Sequence, residues 1–560
     1  MIKQKQLYFG LSLLVAFYYG IYFYYWVFSH QYLVQDDARQ HIVWLQRFVD
    51  PELFSQDLIA DYFFSLAPLG FKSLYIWFAR LGIEPLLLAK LLPPILGLIT
   101  TVYIFWFTLE IMPRAIAGFW SCLLFNQLMW LNDDLVSATH RAFIYPLFAA
   151  FLYYLAKQKF LPCLFLMLIQ GLFYPHILLV EFVILSLRLL KLSSGFRIKL
   201  MQDQQPYIWW LGGLMITAIA LYPITQKPPE ISTTITFAQM QAMPEFNSGG
   251  RNVFLINKWQ YFFVGSSGLS LPWFPTIVWL GLALPWLLKT KSSVVKLITK
   301  QINILLQVIV ASLIMFAIAH FLLPKLHLPS RYTYHTLRFV MAISTAIVIT
   351  ILSDNIQQHF KHKRRLSSTD KIKIIAITLV TLIVIIIPGI PKIFIDGFQN
   401  WKSGTAPAIY EYLGQQPKDT LVASISLEAD NIPAFSQRSI LVSQEFAMAY
   451  HPAYYQQIQQ RAVDLLEAQY SLNTSKLISF INQYGVDYFL VDKNAFSPEY
   501  LLAQDWLVNS SWRQETQDAI AKLQLKTNFS LKQLIPSCSK ISTDNLDLVS
   551  SNCIVSSFSK

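Results

Sequence analysis

Residues 7–41 read LYFGLSLLVAFYYGIYFYYWVFSHQYLVQDDARQH, and this stretch decides the fold. Its first part, Leu7 to Phe28, is an uninterrupted apolar run of roughly 20 residues, long enough to cross a hydrocarbon layer as a helix. Lys3 and Lys5 precede it and no small-x-small cleavage pattern follows. Too long for a cleaved signal core, it reads as a retained signal anchor. Immediately beyond it stand two adjacent carboxylates, Asp36 and Asp37. Acids held beside hydrocarbon are costly, which makes them functional candidates before they are structural ones.

The same alternation of apolar run and short polar connection continues along most of the chain. Of 560 residues, 54% are hydrophobic, 15% aromatic and only 14% charged, and the mean hydropathy is +0.43. A soluble chain carries roughly a quarter charged residues, so this composition specifies an integral membrane protein. The net charge of +12 lies largely in short clusters between apolar segments, where it encodes topology; a nucleic-acid partner is excluded on that ground.

Apolar runs predict spans near residues 7–29, 86–110, 114–131, 139–156, 160–174, 176–192, 207–223, 273–288, 302–323, 333–352 and 371–390, about eleven in all. With the amino terminus in the cytoplasm, the inner connections carry Arg114; Lys157 and Lys159; Arg188, Lys191, Arg197 and Lys199; Lys289, Lys291, Lys296 and Lys300; and the cluster from Lys361 to Lys373. Every basic cluster then falls on one side, as the positive-inside rule requires. A span at residues 66–82 would reverse most of them, so that segment is read as an interfacial helix.

This topology sends Asp36, Asp37, Asp133, Asp134 and His176 to the outer face, with the loop of residues 224–272 and the carboxyl-terminal tail. The expected domains are a transmembrane part, 1–395, whose outer loop 30–85 carries interfacial helices, and a soluble part, 396–560. Pro388, Gly389 and Pro391 end the last span. In the tail, Thr420 to Ile425 and Val486 to Asp492 read as buried strands and Pro452 to Gln469 as a helix, an alternation that argues an α/β layer. Asn-x-Ser/Thr triplets at Asn473, Asn509 and Asn528 fit an external domain. Cys122 and Cys163 read as buried small residues; Cys538 and Cys553 could pair outside the cytoplasm, though neither spacing nor neighbours require it.

Three clusters could carry chemistry. Ile42, Leu45 and Val49 have helical spacing, so Asp36 and Asp37 would begin an amphipathic interfacial helix, where the dipole favours negative charge. One acid suffices for a cap; two, followed by Arg39 and His41, exceed it. Asn132-Asp133-Asp134 precedes another span, with Arg141 in its first turn on the face where few basic residues are expected. At the outer start of the 333–352 span, Arg331, His335 and Arg338 are spaced i, i+4, i+7. That stripe either snorkels to headgroups or faces into the bundle, where it would suit a phosphate. His176 occupies a tight outer turn, with Glu181 in the span that follows. Outer aromatics such as Trp259, Tyr261, Phe262, Phe263 and Trp273 read mainly as an interfacial belt.

An acidic pair after the first span, a second in the next outer loop and a basic helix end resemble the GT-C superfamily of polytopic membrane glycosyltransferases. Gln35-Asp-Asp-Ala-Arg39, Asn132-Asp-Asp-Leu135 and Arg141-Ala-Phe-Ile-Tyr-Pro146 are similar to an uncharacterised bacterial, particularly cyanobacterial, branch, as are Ala429 to Phe435 and Gln483 to Tyr488 in the tail. The resemblance covers the first 200 residues best. It implies an all-α polytopic bundle with a carboxyl-terminal α/β extracytoplasmic domain, held in a bacterial inner or plasma membrane.

The implied activity is hexosyl or pentosyl transfer, with inversion, from a polyprenyl-phosphate-linked donor to a glycan, lipid or protein acceptor. Asp36 or Asp37 would be the catalytic base and Asp133 or Asp134 the second acidic site, for acceptor or metal. Arg331, His335, Arg338 and Arg141 would bind phosphate. A divalent ion, Mg or Mn, would draw on Asp37, Asp133 and His176, although no metal-ligand spacing such as His-x-x-x-His is present. The alternatives are a transporter or flippase of lipid-linked saccharides and a non-catalytic envelope assembly protein. Against the first, no internal repeat is found and the charges gather at one surface.

Overall fold

The computed structural model describes residues 2–193, 197–227, 232–254, 259–290, 292–361, 372, 375, 379, 400–525 and 528–557. It is an all-α bundle with a mixed β-sheet domain at the carboxyl end. Apart from residues 372, 375 and 379, the expected span 371–390, its Pro388-Gly389-Pro391 stop, the basic residues Lys291, Lys363, Arg364, Arg365, Lys371 and Lys373, and the boundary at 395 lie outside the described residues.

Helix α1 (Ile2–Phe28) lies against α5 (Pro85–Ile111), which has proline at its first position, where a missing N–H costs nothing. Gly20 allows this approach: a Cβ there would meet the Pro94 ring at 2.9 Å. Around α5 pack α6 (Ala115–Trp130) and α8 (Ile144–Ala156), with α9 (Phe160–Phe173), α10 (Pro175–Leu187) and α11 (Gln205–Thr225) following. Helices Asn303–Phe321 and Thr336–Lys361 complete the described bundle. Among the described residues, five helices are long and apolar enough to cross a membrane, and four shorter apolar ones accompany them. Arg114 meets Asp354 at 3.5 Å and Lys157 meets Glu110 at 2.8 Å, and these pairs close one end of the bundle.

The opposite end carries the first loop and the tail. Strand β1 (Leu33–Gln35) pairs antiparallel with Trp401–Ser403, and Asp36 N–H donates to Asn400 O at 2.8 Å. Helix α2 (Asp36–His41) follows, opened by Gln35, whose Oε1 accepts from Ala38 N–H. A continuous amphipathic helix through Val49 does not form. A 3-10 turn, Val43–Phe48, replaces it, and Val43, Trp44 and Leu45 are all buried. Trp44 is enclosed by Phe54, Phe63 and Phe446 of the tail, a burial that contributes roughly 2–3 kcal/mol. The loop is therefore a filling between bundle and tail. Helices α3 (Leu58–Leu66) and α4 (Leu69–Arg80) continue it, α4 burying Phe71, Tyr75 and Ala79.

The tail sheet has five strands. Leu421–Ala423 is flanked by parallel partners Ser439–Ile440 and Tyr488–Asp492, and the last of these continues antiparallel through Leu546–Ser550 to Ser539–Ser542. Helix Pro452–Gln469 lies where the sequence predicts it. Helix Thr474–Tyr484 stops at Gly485, whose φ of 65° suits glycine. Cys538 and Cys553 form a disulfide between the last described helices, while Cys122 and Cys163 are free and buried.

Candidate functional site

A cavity of about 850 Å³ opens between the end of the bundle and the tail, within the range of small-molecule sites. Asp37 and His41 of α2 line it, with Asp133, His140, Arg141, His176 and Arg331 from the bundle and Arg251, Tyr450 and His451 from later segments.

The structure divides each acidic pair. Asp36 turns away from the cavity to Arg39, 2.6 Å away, and lies 3.9 Å from Lys402 Nζ. Arg39, only 5% exposed, also donates to Asn431 Oδ1 at 2.8 Å and meets Glu445 at 3.4 Å and Asp430 at 3.9 Å. Glu445 meets Arg251 at 3.0 Å, and its carbonyl accepts from Gln40 and Arg251. Asp36 thus belongs to a charge network that fastens α2 to the tail.

Asp37 faces the cavity with 23% of its side chain open and pairs with Arg141. Burial pushes its carboxyl up to about 6; the Arg141 charge opposes this, while Asp133, Asp36 and Asp134 add to it.

Asp133 begins the short helix α7 (Asp133–Val136), lines the cavity and accepts from Asn400 Nδ2 at 2.6 Å. Asp134 is fully buried behind Arg141, 3.1 Å from it in a charge contact without hydrogen-bond geometry. It also accepts from Tyr145 OH at 3.2 Å and lies 3.7 Å from His335 Nδ1. Arg141 therefore bridges the cavity-facing Asp37 and the enclosed Asp134. One acid of each pair reaches the cavity; the other holds a positively charged neighbour.

The basic stripe is divided too. A 3-10 turn with proline at its first position, Pro329–Tyr332, precedes the helix, which starts only at Thr336. Arg331 and His335 are therefore not one turn apart on a common helix. Arg331 lines the cavity, and among the described residues no carboxylate lies within ion-pair distance of it. His335 is fully buried beside Asp134 and Tyr145. Arg338 stacks on Tyr334, 3.5 Å from the ring centroid, and donates to Asn132 Oδ1 at 3.0 Å. Neither His335 nor Arg338 reaches the cavity wall, because both are turned into the bundle.

Histidines coat the rest of the cavity. His41 is pushed down to about 3 by burial and by Arg141 and Arg331; His451, which shares a 2.8 Å hydrogen bond with Tyr62, is pushed down to about 4 by burial and Lys227. Both are neutral at physiological pH. His327 holds the left-handed φ of 57°, a conformation that costs of order 1 kcal/mol and gathers at functional sites. His176 packs on Tyr174, His327 and Tyr332.

Asp37, Asp133 and His176 share the cavity wall, but among the described residues no three His, Cys, Asp or Glu side chains are grouped to hold a metal ion. The Arg141 guanidinium already takes an oxygen of Asp37.

Lys72, Lys227, Arg251 and His451 also line the cavity, and the sequence analysis singled out none of them. For Arg251 and His451 no local pattern signals it, since long-range packing brings them in. Lys72 and Lys227 carry the same sign as Arg141 does, basic residues on the face where few are expected.

A bundle of apolar helices whose polar cavity lies at one end, beneath a carboxyl-terminal mixed sheet, is a fold shared with solved structures. The likeness is to the oligosaccharyltransferase of Archaeoglobus fulgidus. Its apo crystal structure gives a TM-score of 0.52 at 11% identity, over 90% of this chain and 71% of that one. The same archaeon's AglB, in complex with an inhibitory peptide and a dolichol-phosphate, gives 0.51 at 11% identity, over 91% and 72%. At such identity the likeness is one of fold. No protein-family model matches the sequence, and no curated protein matches it.

Proposed function

We propose that this chain is a membrane glycosyltransferase that passes a sugar from a polyprenyl-phosphate-linked donor to an extracytoplasmic acceptor, with Asp37 as the base. The observation that carries this is the split acid pair: Asp37 opens into a cavity that also holds Arg331, whereas Asp36 is consumed in anchoring the tail. The GT-C fold and the apolar bundle support the membrane setting. The gathering of basic clusters at the far end supports a cytoplasmic amino terminus, and the Cys538–Cys553 disulfide supports an exported tail, domain 396–560.

In this mechanism the Asp37 carboxylate takes the proton of an acceptor hydroxyl. The hydroxyl oxygen attacks the anomeric carbon from the side opposite the phosphate. The carbon–oxygen bond to phosphate breaks, its electron pair leaves with the carrier phosphate, and Arg331 stabilises the growing charge. The leaving group is a stable anion, so no strong general acid is needed. Asp133, beside Asn400, orients the acceptor.

The test is transfer from a polyprenyl-phosphate-linked sugar by the full-length protein. Asp37→Ala is expected to lower turnover by about two to four orders of magnitude. Asp36→Ala is expected to retain turnover but loosen the tail. Full activity in Asp37→Ala would sink the assignment.

A further inference from the structure

The cavity holds a second group of cations apart from Arg331. Lys72 lies on α4, its Nζ 4.7 Å from the Phe64 ring centroid. Lys227 stands just past the end of α11 and donates from Nζ to Leu66 O at 3.4 Å. Both are half-buried, and among the described residues neither has a carboxylate within ion-pair distance. The carboxylates of Asp37 and Glu445 have arginine partners; among the described residues these two ammonium groups have no carboxylate partner.

Their surroundings are apolar. Leu69 of α4 and Ile224 of α11 line the cavity and are 46% and 43% exposed. Leu66, Leu172, Ala220 and Pro223 continue this wall inward. The cavity therefore has an apolar mouth between α4, α9 and α11, and the lysines mark where apolar wall gives way to polar chamber. Burial and the charge of Lys72 pull Lys227 down to about 8; an anion between the two would favour their charged forms.

We propose that Lys72 and Lys227 form a phosphate subsite at the lipid-facing mouth, which takes a lipid-borne phosphate before or after it occupies the Arg331 end. An apolar wall beside two unmatched cations suits a molecule with a hydrocarbon chain and one anionic head. Arg331 reaches the cavity from the turn Pro329–Tyr332, whereas Lys72 comes from α4 and Lys227 from just past α11, so the two cation groups are presented by different elements. The idea rests on the reading that this cavity takes a lipid-linked donor, and it gives the donor two phosphate stations.

The experiment is binding to the full-length protein in phosphatidylcholine nanodiscs, read by tryptophan fluorescence, with farnesyl phosphate and farnesol as probes. Joint Lys72→Gln and Lys227→Gln is expected to weaken farnesyl phosphate by roughly tenfold, to leave farnesol unchanged, and to be rescued by arginine at both positions. An unchanged affinity for farnesyl phosphate, or an equal loss for farnesol, overturns the subsite. Competition by dioleoylphosphatidylglycerol identifies the source: displacement supports a site for any lipid phosphate, and resistance supports one that also reads the prenyl chain. Lysine-dependent binding without sugar transfer in the wild type would reject the transferase reading and leave the subsite standing.

Discussion

Arg141 gives the sharpest test of the acid assignment. It pairs with Asp37 on one side and meets Asp134 at 3.1 Å on the other. Its charge opposes the burial that lifts Asp37 to about 6. At that value about nine-tenths of Asp37 is ionised at pH 7. Removing an opposite charge so close raises a carboxyl by about 1–2 units, which leaves between about half and a tenth ionised. Turnover at pH 7 should therefore fall roughly two- to tenfold and recover by about pH 9.

Arg141→Gln alone would also strand the fully buried Asp134, at a cost of about 3–5 kcal/mol. The informative variant joins it to Asp134→Asn, so that no unmatched carboxylate is left behind; Asp134 contributes least to the rise of Asp37, so losing its charge trims the shift without reversing it. The assay is the initial rate of sugar transfer between pH 5 and pH 9 in wild type and double variant. An acid limb that stays in place, or moves to lower pH, would refute the reasoning. So would a wild-type limb near pH 4, where an unperturbed carboxyl titrates.

Other perturbations follow from the same contacts. Burial, with Asp36 and Asp430 beside it, pushes Glu445 up to about 8 although Arg251 and Arg39 face it. A carboxyl raised on folding binds its proton more tightly in the folded state, so stability should fall as pH rises from about 4.5 to 8. Thermal unfolding against pH should lose that slope in Glu445→Gln. Arg331→Gln should lower kcat by roughly 100-fold, with Arg331→Lys retaining part of the activity; equal rates for all three proteins would remove Arg331 from the mechanism. Serine at both Cys538 and Cys553, 15 residues apart, should destabilise the tail by up to about 3 kcal/mol in denaturant, with non-reducing gels confirming the bond in the parent.

The bundle was legible because hydrocarbon imposes length and composition on each helix: the runs around Leu7 to Phe28 and residues 86–110 correspond to helices Ile2–Phe28 and Pro85–Ile111. Tail helix Pro452–Gln469 was legible for the complementary reason, a polar face alternating with an apolar one. The division of labour within each pair was not. Adjacent residues on a helix point about 100° apart, and the choice between them rests on the i, i+3 pair of Asp36 with Arg39 and, through Arg39, on Asn431 and Glu445, which no local pattern connects to the helix. The same holds for Val43 to Leu45, where a surface helix was expected: the tail's Phe446 covers Trp44. Arg331, His335 and Arg338 shared a helical spacing that the turn at Pro329–Tyr332 breaks.

The pairing of Leu33–Gln35 with Trp401–Ser403 carries a consequence for biogenesis. The helix bearing Asp37 leaves the ribosome hundreds of residues before the strand and the asparagine that fix its start. During insertion the first loop therefore waits without its partner, and the chamber closes only when the tail has been made and brought to the same end of the bundle. A chain truncated before Trp401 could carry both acidic pairs in the membrane and still lack a formed site, so competence is acquired last, with the final third of synthesis.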